Sequence, residues 1–549
     1  MDVNALFEKK QLDMVKAFLA EAPIGATFFG LHEYDHLLGD PSLEHAEKMH
    51  NMLLESFEDL KRSVSKDELT FDNQIDYELF EHMVARDCFD YEVLERHKTG
   101  YDGGGPVGAV SGAVFSLIAK DFAPFSERVK AIVARVESIP EYLQNSKDTW
   151  VAPVKIWTNL AIQECDSAMG LFQFVQQLIT NHPEVEEQLK ERIKTASQEA
   201  VLAVQAYKSF LEGEVLPRAK EEWTIGEENF KRLLELRKIP LTTEEIEKRG
   251  WTYFNESKAK LESYAEKIAP GKAFEEVRTL IKGEHPDSFE AMLDFYKKEV
   301  AGAKTFVKEK DLATIPEGEK IQVIETPSFL APVIPFAAYM SPAYFEEEKE
   351  GIYVVTKPRD PQMFNEHSFT GISNTSVHEA YPGHHLQLTS ASIHCNPIRF
   401  IVTGIEVVEG WAHYCEQMMM EEGFLEGTKI AFIQELDVLW RAARIIIDVG
   451  MSSGKMSMEE AINFLVDKVG MEREGAEAEV KRYTYSPAYQ LSYLIGKHMI
   501  LELREKVKEQ MGERFSLKFF HDVILKNGGV PYYFLEKIME KRVQEALES

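Results

Sequence analysis

Histidine and glutamate side chains that could bind a metal are concentrated in Thr375–Leu388, TSVHEAYPGHHLQL. His378 is followed directly by Glu379, and His384 and His385 come after a Pro-Gly pair. A hydrolytic zinc ion takes neutral imidazole ligands, keeps one position open for water, and works beside a carboxylate that accepts the water's proton. The stretch therefore predicts two histidine ligands, with Glu379 as the general base.

The spacing of these histidines does not suit an unbroken helix. The position four residues after His378 is Pro382, so the usual pair of ligands one turn apart is absent. On a straight helix His384 would be rotated by roughly 120° from His378, and His385 would lie about 10 Å farther along the axis. A break at Pro382 and Gly383 could bring a later histidine back. We expect His384 to be the second ligand, with His385 as the alternative that spacing leaves open.

A second group of acidic residues follows in Ile405–Gln417, IEVVEGWAHYCEQ. Glu406, Glu409, His413 and Glu416 recur at intervals of three and four, which places them along one stripe of a helix. Carboxylates on such an apolar segment are costly to bury unless they are paired or bound to metal. Glu409 is the expected third ligand, and His413 and Glu416 are expected to orient the ligands by hydrogen bonds.

Several motifs carry a resemblance to a known family. They are HEAYPGHHLQ, EGWAHYCE, a tyrosine-rich segment that ends in YLIGK, and the upstream segment FLEGEVLPRAKEEWTIGEENFKRLL. With them the chain resembles the DUF885 family, a bacterial group related to the all-helical zinc peptidases. The resemblance implies a gluzincin-like site in which two histidines and a glutamate bind zinc and Glu379 acts as general base.

The elements that must position these groups are predominantly helical. Ser126–Val136 and Glu184–Leu211 show helical apolar spacing, and Thr242 with Glu245 forms a capping box whose helix is expected to end at Gly250. We therefore predict a mainly α protein, a large two-lobed helical fold like that of zinc peptidases, with a small β-sheet beside the metal helix. The predicted regions are 1–310, an N-terminal helical region, and 311–549, a catalytic helical region, forming one integrated domain with a central cleft.

Two short β-branched segments, Lys320–Glu325 and Gly351–Thr356, are predicted strands. The second is a candidate edge strand that could hold an extended peptide through its main chain, with Tyr353 among the substrate contacts. An ordinary hairpin that closes the core is the other interpretation of these segments.

Arginine and tyrosine side chains downstream suggest further contacts with substrate. Arg444 and Asp448 are four residues apart and could pair on their helix, whereas Arg441 and Arg444 could instead bind a substrate carboxylate. Tyr489 and Tyr493 are also four apart. Their hydroxyls could donate to the oxyanion of amide hydrolysis, although tyrosines at this spacing are also common in packed cores.

Composition limits the classes of partner. The formal net charge is −30, from 92 acidic and 62 basic residues, which disfavours binding to nucleic acid or to anionic lipid. Charges interrupt every apolar run at the N-terminus, no segment has about 18 uninterrupted apolar residues, and the four cysteines are scattered. These features predict a cytoplasmic protein without a membrane partner, and they leave its oligomeric state open.

Together these features predict a metallopeptidase that binds one Zn²⁺ per chain and hydrolyses peptides through an activated water. The same residues would serve a metal-dependent hydrolase of another amide or ester. A non-catalytic helical scaffold, in which the polar groups form a structural network or a closed metal site, is the alternative from a different class.

Overall fold

The computed structural model describes residues 2–326, 334 and 336–548, and these residues are mainly helical. They divide into two compact units, Met1–Trp223 with Ala343–Glu346, and Thr224–Pro342 with Glu347–Ser549. The predicted boundary at residue 310 lies inside the second unit, directly after one of its helices. The mainly α class with a small sheet is confirmed.

The first unit contains eight α-helices among its described residues. They are α1 Val3–Glu21, α2 Pro23–Phe29, α3 Leu43–Ser63, α4 Phe71–Cys88, α5 Pro106–Ala119, α6 Phe125–Asn145, α7 Lys155–Asn181 and α8 Glu187–Phe210. The helical spacing of Ser126–Val136 and Glu184–Leu211 is thus realised in α6 and α8.

The second unit contains the remaining helices of the described chain and the sheet. The helices are α9 Gly226–Leu236, α10 Thr243–Ile268, α11 Phe274–Lys282, α12 Phe289–Glu309, α13 Phe369–Glu379, α14 His384–His394, α15 Pro397–Ile401, α16 Ile405–Glu421, α17 Thr428–Ser452, α18 Met458–Phe464, α19 Arg473–Tyr483, α20 Ser492–Met511, α21 Leu517–Lys526 and α22 Tyr532–Glu548. The strands are β1 Lys320–Glu325, β2 Ala337–Met340 and β3 Glu350–Val355.

The sheet has the order β1-β3-β2, with β1 parallel and β2 antiparallel to β3. Lys320 pairs with Glu350, and Ala337 pairs with Val355. Both predicted strands are confirmed to within one residue, whereas β2 had not been predicted. The edge-strand prediction is wrong, because strands on both sides pair with β3, and its Tyr353 side chain is fully buried.

Glycine lets pairs of helices in the second unit approach closely. The capping box of Thr242 and Glu245 is confirmed, but α10 continues through Gly250 instead of ending there. A Cβ at Gly250 would lie 2.9 Å from a methyl group of Ile445 on α17. Gly250 therefore serves close packing of α10 on α17, which its sequence pattern could not distinguish from a helix end.

The contact between α16 and α20 depends on two facing glycines. A Cβ on Gly496 would collide with the main-chain carbonyl of Glu406, and a Cβ on Gly410 would collide with the backbone of Gly496. The two backbones therefore touch, and this fixes the position of α16 relative to α20.

We expect Gly496→Ala to lower the free energy of unfolding by about 3 kcal/mol, because the added methyl group must displace a backbone. Chemical denaturation measures this change. The matched control is Gly302→Ala in the middle of α12, where the new Cβ would meet only the Phe424 ring at 3.7 Å. The control should be neutral or slightly stabilising. Equal stability of the two variants would contradict this account of the helix contact.

Candidate metal centre

The histidine-rich stretch folds as two helices with a sharp turn between them. α13 ends at Glu379 and α14 begins at His384, as the Pro-Gly pair predicts. The Gly383 amide donates to the Val377 carbonyl at 3.1 Å, and a Cβ on Gly383 would overlap the His378 carbonyl. Only glycine fits this approach of two backbone segments. The turn brings the His384 ring to within 4.8 Å of the His378 ring, centroid to centroid.

The turn and α16 place three possible metal ligands together. One ligand atom from each of His378, His384 and Glu409 lies within 4.8 Å of the other two. Within this group, His384 Nε2 and Glu409 Oε2 are 3.4 Å apart. Each of the three side chains keeps 10–13% of its surface exposed. The structure therefore brings together the three residues that the sequence predicts as ligands.

A hydrogen bond from α16 fixes the turn. The indole Nε1 of Trp411 donates to the Pro382 carbonyl at 2.8 Å, and Trp411 is fully buried. Trp411 lies two residues after Glu409 on the same helix. The helix that supplies the carboxylate thus also holds the turn that supplies His384.

The donor set and its geometry fit zinc. His378 Nδ1 is 2.7 Å from Glu416 Oε1, so an Nδ1–H that donates to this carboxylate leaves Nε2 as the electron-pair donor. Ligand atoms of a tetrahedral zinc ion are roughly 3.3–3.5 Å apart, close to the distance between His384 and Glu409. His384 Nδ1 is buried without a hydrogen-bond partner among the described residues. Two imidazoles and one carboxylate match the ligands of hydrolytic zinc sites.

Neighbouring groups keep Glu409 ionised despite its burial. Burial alone would raise the pKa of this carboxyl, but the hydrogen bond with His384 and the nearby imidazoles lower it to about 2. The other carboxylate oxygen, Oε1, accepts a hydrogen bond from the Tyr489 hydroxyl at 2.9 Å. Glu409 is therefore a carboxylate at neutral pH, as a metal ligand must be.

Glu416 connects His378 to a buried polar network. Besides its contact with His378, its Oε2 accepts from Asn374 Nδ2 at 3.1 Å, and Arg441 Nη2 lies 3.7 Å from Oε1. Gln434 Nε2 donates to its main-chain carbonyl at 2.7 Å. Burial opposes ionisation, but the charge of Arg441 and the hydrogen bond with His378 hold the pKa of Glu416 well below its usual range. The structure thus gives Glu416 the contact with His378 that the predicted orienting role needs.

His413 differs from its predicted role. Its ring is fully buried, and Nδ1 lies 3.3 Å from Glu416 Oε2 without the geometry of a hydrogen bond. Burial and the charge of Lys497 hold the pKa of His413 well below its usual value, so the ring is neutral. It packs beside Glu416 and hydrogen-bonds none of the three candidate ligands.

Tyr489 and Tyr493 lie beside Glu409. Tyr489 belongs to the turn before α20, which begins at Ser492, and its ring meets that of Tyr493 edge-on at 6.0 Å. Burial and the charge of Glu409 raise the pKa of Tyr489, and burial also raises that of Tyr493. Both hydroxyls are therefore protonated at neutral pH and can donate hydrogen bonds.

Asp448 stabilises this turn and does not pair with Arg444. The predicted pairing of Asp448 with Arg444 is therefore wrong. Its carboxylate accepts from the amides of Ala488 at 2.9 Å and Leu491 at 3.1 Å. Ala488 has a left-handed backbone, φ +65°, which an aspartate from another helix can stabilise through these bonds. Arg444 pairs instead with Glu479, 35 residues away in the sequence, at 2.9 Å.

The predicted substrate contacts have partners within the protein. Arg441 lies 3.4 Å from an Asp437 carboxylate oxygen, and Arg444 also donates to the Tyr483 hydroxyl at 3.0 Å. Tyr353 is enclosed beside the ring of Tyr296. A substrate-binding role for these three residues stays a prediction that their surroundings do not favour.

His385, the alternative ligand, points to the sheet instead of the cluster. Its Nε2 is 2.7 Å from Glu319 Oε2, and its Nδ1 is 2.9 Å from the Tyr339 hydroxyl on β2. Tyr381 also donates to Glu319, at 2.6 Å. His385 therefore fastens α14 to the sheet, and only its neighbour His384 joins the cluster.

Sequence reasoning missed Asn374, Trp411 and Asp448 as supports of the site. Asn374 precedes His378 by four residues on α13, so helical spacing could have placed it on the same face. Trp411 gives no local signal of its role, because its partner Pro382 lies 29 residues away in the sequence. Asp448 gives no local signal of this role, because the two amides of the turn that it binds are 40 and 43 residues away.

We expect His384→Ala to lose bound zinc and His385→Ala to retain it. The first substitution removes a ligand, whereas the second removes the tie to Glu319 and lowers stability. Each variant is dialysed against buffer that contains a trace of zinc, and the zinc content per chain is then measured. His394→Ala, at the exposed end of α14, is the control. Loss of zinc from His385→Ala with retention in His384→Ala would contradict the geometry.

Two solved structures share this fold. One, from Shewanella oneidensis and described as a "putative lipoprotein of unknown function", is 22% identical and has a TM-score of 0.79, over 97% of this chain and 99% of its own. The other, a "putative lipoprotein" from Colwellia psychrerythraea, is 19% identical with a TM-score of 0.85, over 99% of this chain and 100% of its own. No curated protein matches the chain.

These two structures overturn the predicted cytoplasmic location. Both are described as a "putative lipoprotein", and covalent lipid attaches lipoproteins to membranes. The lack of a long apolar segment, one of the grounds for the prediction, does not exclude a lipid anchor, because such an anchor needs no spanning helix. Within the described residues, no helix combines the length and the apolar composition that crossing a bilayer requires.

The family comparison covers nearly the whole molecule. The family model matched is described as bacterial protein of unknown function, DUF885, and it spans residues 23–539. This range includes the turn after α13, Glu409 on α16, and the tyrosines before and on α20. The chain belongs to the DUF885 family.

Proposed function

We propose that this protein is a zinc-dependent hydrolase of peptide bonds. The observation that carries the proposal is the convergence of His378, His384 and Glu409, with ligand atoms no more than 4.8 Å apart. Bound there, zinc would lower the pKa of water towards neutrality and polarise a carbonyl group. The role of the protein is then to position the substrate and to move protons.

The ligand count favours a catalytic ion over a structural one. Structural zinc sites are closed by four protein ligands, whereas hydrolytic sites keep one position for water. The group of candidate ligands found among the described residues contains three side chains, each with part of its surface open to solvent. A site of this kind can exchange a water molecule for substrate.

Glu379 is the proposed general base. It follows His378 at the last residue of α13 and is partly exposed. The Glu379 carboxylate makes no hydrogen bond or ion pair with any residue in the described part of the chain, unlike the hydrogen-bonded Glu409 and Glu416. An unpaired carboxylate beside the ligands can accept a proton from the attacking water and return it to the leaving amine.

Tyr489 is suited to stabilise the developing negative charge. Its hydroxyl is protonated and lies 2.9 Å from a ligand oxygen, so a small rotation would free it to donate to an oxyanion. Tyr493 packs against its ring and limits the directions it can take. A hydrogen bond aimed at the charge that develops in the transition state is worth a few kcal/mol.

We expect Glu379→Gln to bind zinc as the wild type does and to lose at least about 10²-fold in turnover, because the amide cannot accept the proton. A library of peptides incubated with each protein and analysed by mass spectrometry measures cleavage. Glu426→Gln, at an exposed position, is the charge-matched control. Cleavage by zinc-loaded Glu379→Gln at the wild-type rate would contradict the assignment of Glu379 as the general base.

Tyr489→Phe should retain zinc and lower kcat by about 10–10³-fold, with little change in KM, because the lost hydrogen bond acts in the transition state. Steady-state kinetics on a peptide found in the library screen separates the two constants. A change confined to KM would assign Tyr489 to substrate binding instead.

A further inference from the structure

Arginine side chains surround the ring of Tyr493. The guanidinium carbons of Arg441 and Arg444 lie 5.7 Å and 5.1 Å from its centroid. A third arginine, Arg482, shares Glu479 with Arg444, since an Nη2 atom of each lies 2.9 Å from the same carboxylate oxygen. Three cationic groups thus occupy one part of the second unit.

A continuous set of contacts joins this group to the candidate metal ligands. Tyr493 meets the ring of Tyr489 edge-on, and the Tyr489 hydroxyl donates to Glu409. A peptide bound with its scissile carbonyl at the ligands would have one end near these tyrosines and arginines.

The guanidinium groups of Arg444 and Arg441 already interact with other side chains of the protein. The guanidinium of Arg444 stacks 3.9 Å from the Trp440 ring and donates to Tyr483 and Glu479, and its side chain is only 6% exposed. Arg441 is buried against two carboxylates. Neither side chain has a free, accessible pair of N–H groups to offer a ligand.

Arg482 differs in its exposure and its partners. Its side chain is 34% exposed, and only Nη2 has a hydrogen-bond partner among the described residues. The partner, Glu479 Oε2, also accepts from Arg444 and from the Tyr483 hydroxyl. One carboxylate therefore serves two guanidinium groups, which leaves a positive charge that a second carboxylate could neutralise.

We propose that Arg482 binds the C-terminal carboxylate of the substrate, so that the enzyme acts on short peptides with a free carboxyl end. Arginine presents a planar fork of N–H donors that matches the two oxygens of a carboxylate. The hydrolytic part of this inference rests on the proposed function, whereas carboxylate binding can be measured without turnover.

The test is equilibrium binding of N-acetylated dipeptides, as free acids and as C-terminal amides, to the full-length zinc-loaded Glu379→Gln protein by calorimetry. We expect the acid to bind about tenfold more tightly than the amide, because a hydrogen bond between charged groups contributes about this much to affinity. Arg482→Gln should abolish the preference, and Arg482→Lys should retain part of it.

The matched control is Arg473→Gln. Arg473 lies on the same helix and has acidic partners of its own, Glu459 and Glu477, and its side chain is 51% exposed. This variant should keep the preference for the acid. An amidated peptide that ends in glutamate distinguishes a side-chain carboxylate from a terminal one. If it binds as tightly as the free acid, the assignment to the C-terminus is overturned.

Equal binding of acid and amide, no binding of either, or a preference that survives in Arg482→Gln would each overturn the inference. Repeating the titration on chelator-treated protein excludes direct binding of the carboxylate to zinc, because the preference should persist there. A preference that depends on Arg482, in a wild-type protein that cleaves none of these peptides, would support the carboxylate site and refute the proposed hydrolysis.

Discussion

The site depends on one close approach of backbone, at the turn between α13 and α14. Gly383 packs against the carbonyl groups of residues 377 and 378, and no other residue would fit. In an unbroken helix, the six residues from His378 to His384 would put the two side chains on different faces. The turn instead brings them together. The bond from Trp411 to Pro382 then couples the turn to the helix of Glu409. Contact between the backbones of α16 and α20, at Gly410 and Gly496, sets that helix against the segment that carries the tyrosines.

Charge compensation explains much of what surrounds the ligands. Buried ions are costly unless they are paired, and two of the three candidate ligands have a polar neighbour outside the cluster: Glu416 for His378 and Tyr489 for Glu409. Glu416 is in turn satisfied by Asn374 and Arg441. Glu379 stands apart from this pattern, because its carboxylate has no partner among the described residues. The chain thus pairs two of the three candidate ligands and leaves the carboxylate of the proposed base unpaired.

The sequence predicts the features that local patterns determine. The break at Pro382 and Gly383, the capping box at Thr242, and the strands β1 and β3 follow from residue type and spacing. Long-range features could not be predicted in this way. The pairing of β2 with β3 makes β3 the central strand. Gly250 lies within a helix because Ile445 packs against it. Arg444 pairs with Glu479 instead of Asp448, which is nearer in the sequence. Spacing alone also could not distinguish His384 from His385 as the ligand. The distinction depends on Glu319, which lies more than 60 residues before His385 in the sequence and contacts its ring.

The most direct test of the central claim is a crystal structure of the protein grown with zinc, with diffraction recorded on both sides of the zinc absorption edge. The account predicts one strong anomalous peak about 2 Å from a nitrogen of His378, a nitrogen of His384 and an oxygen of Glu409. A protein that is fully folded, shows no peak at these residues and binds zinc elsewhere or not at all would contradict it.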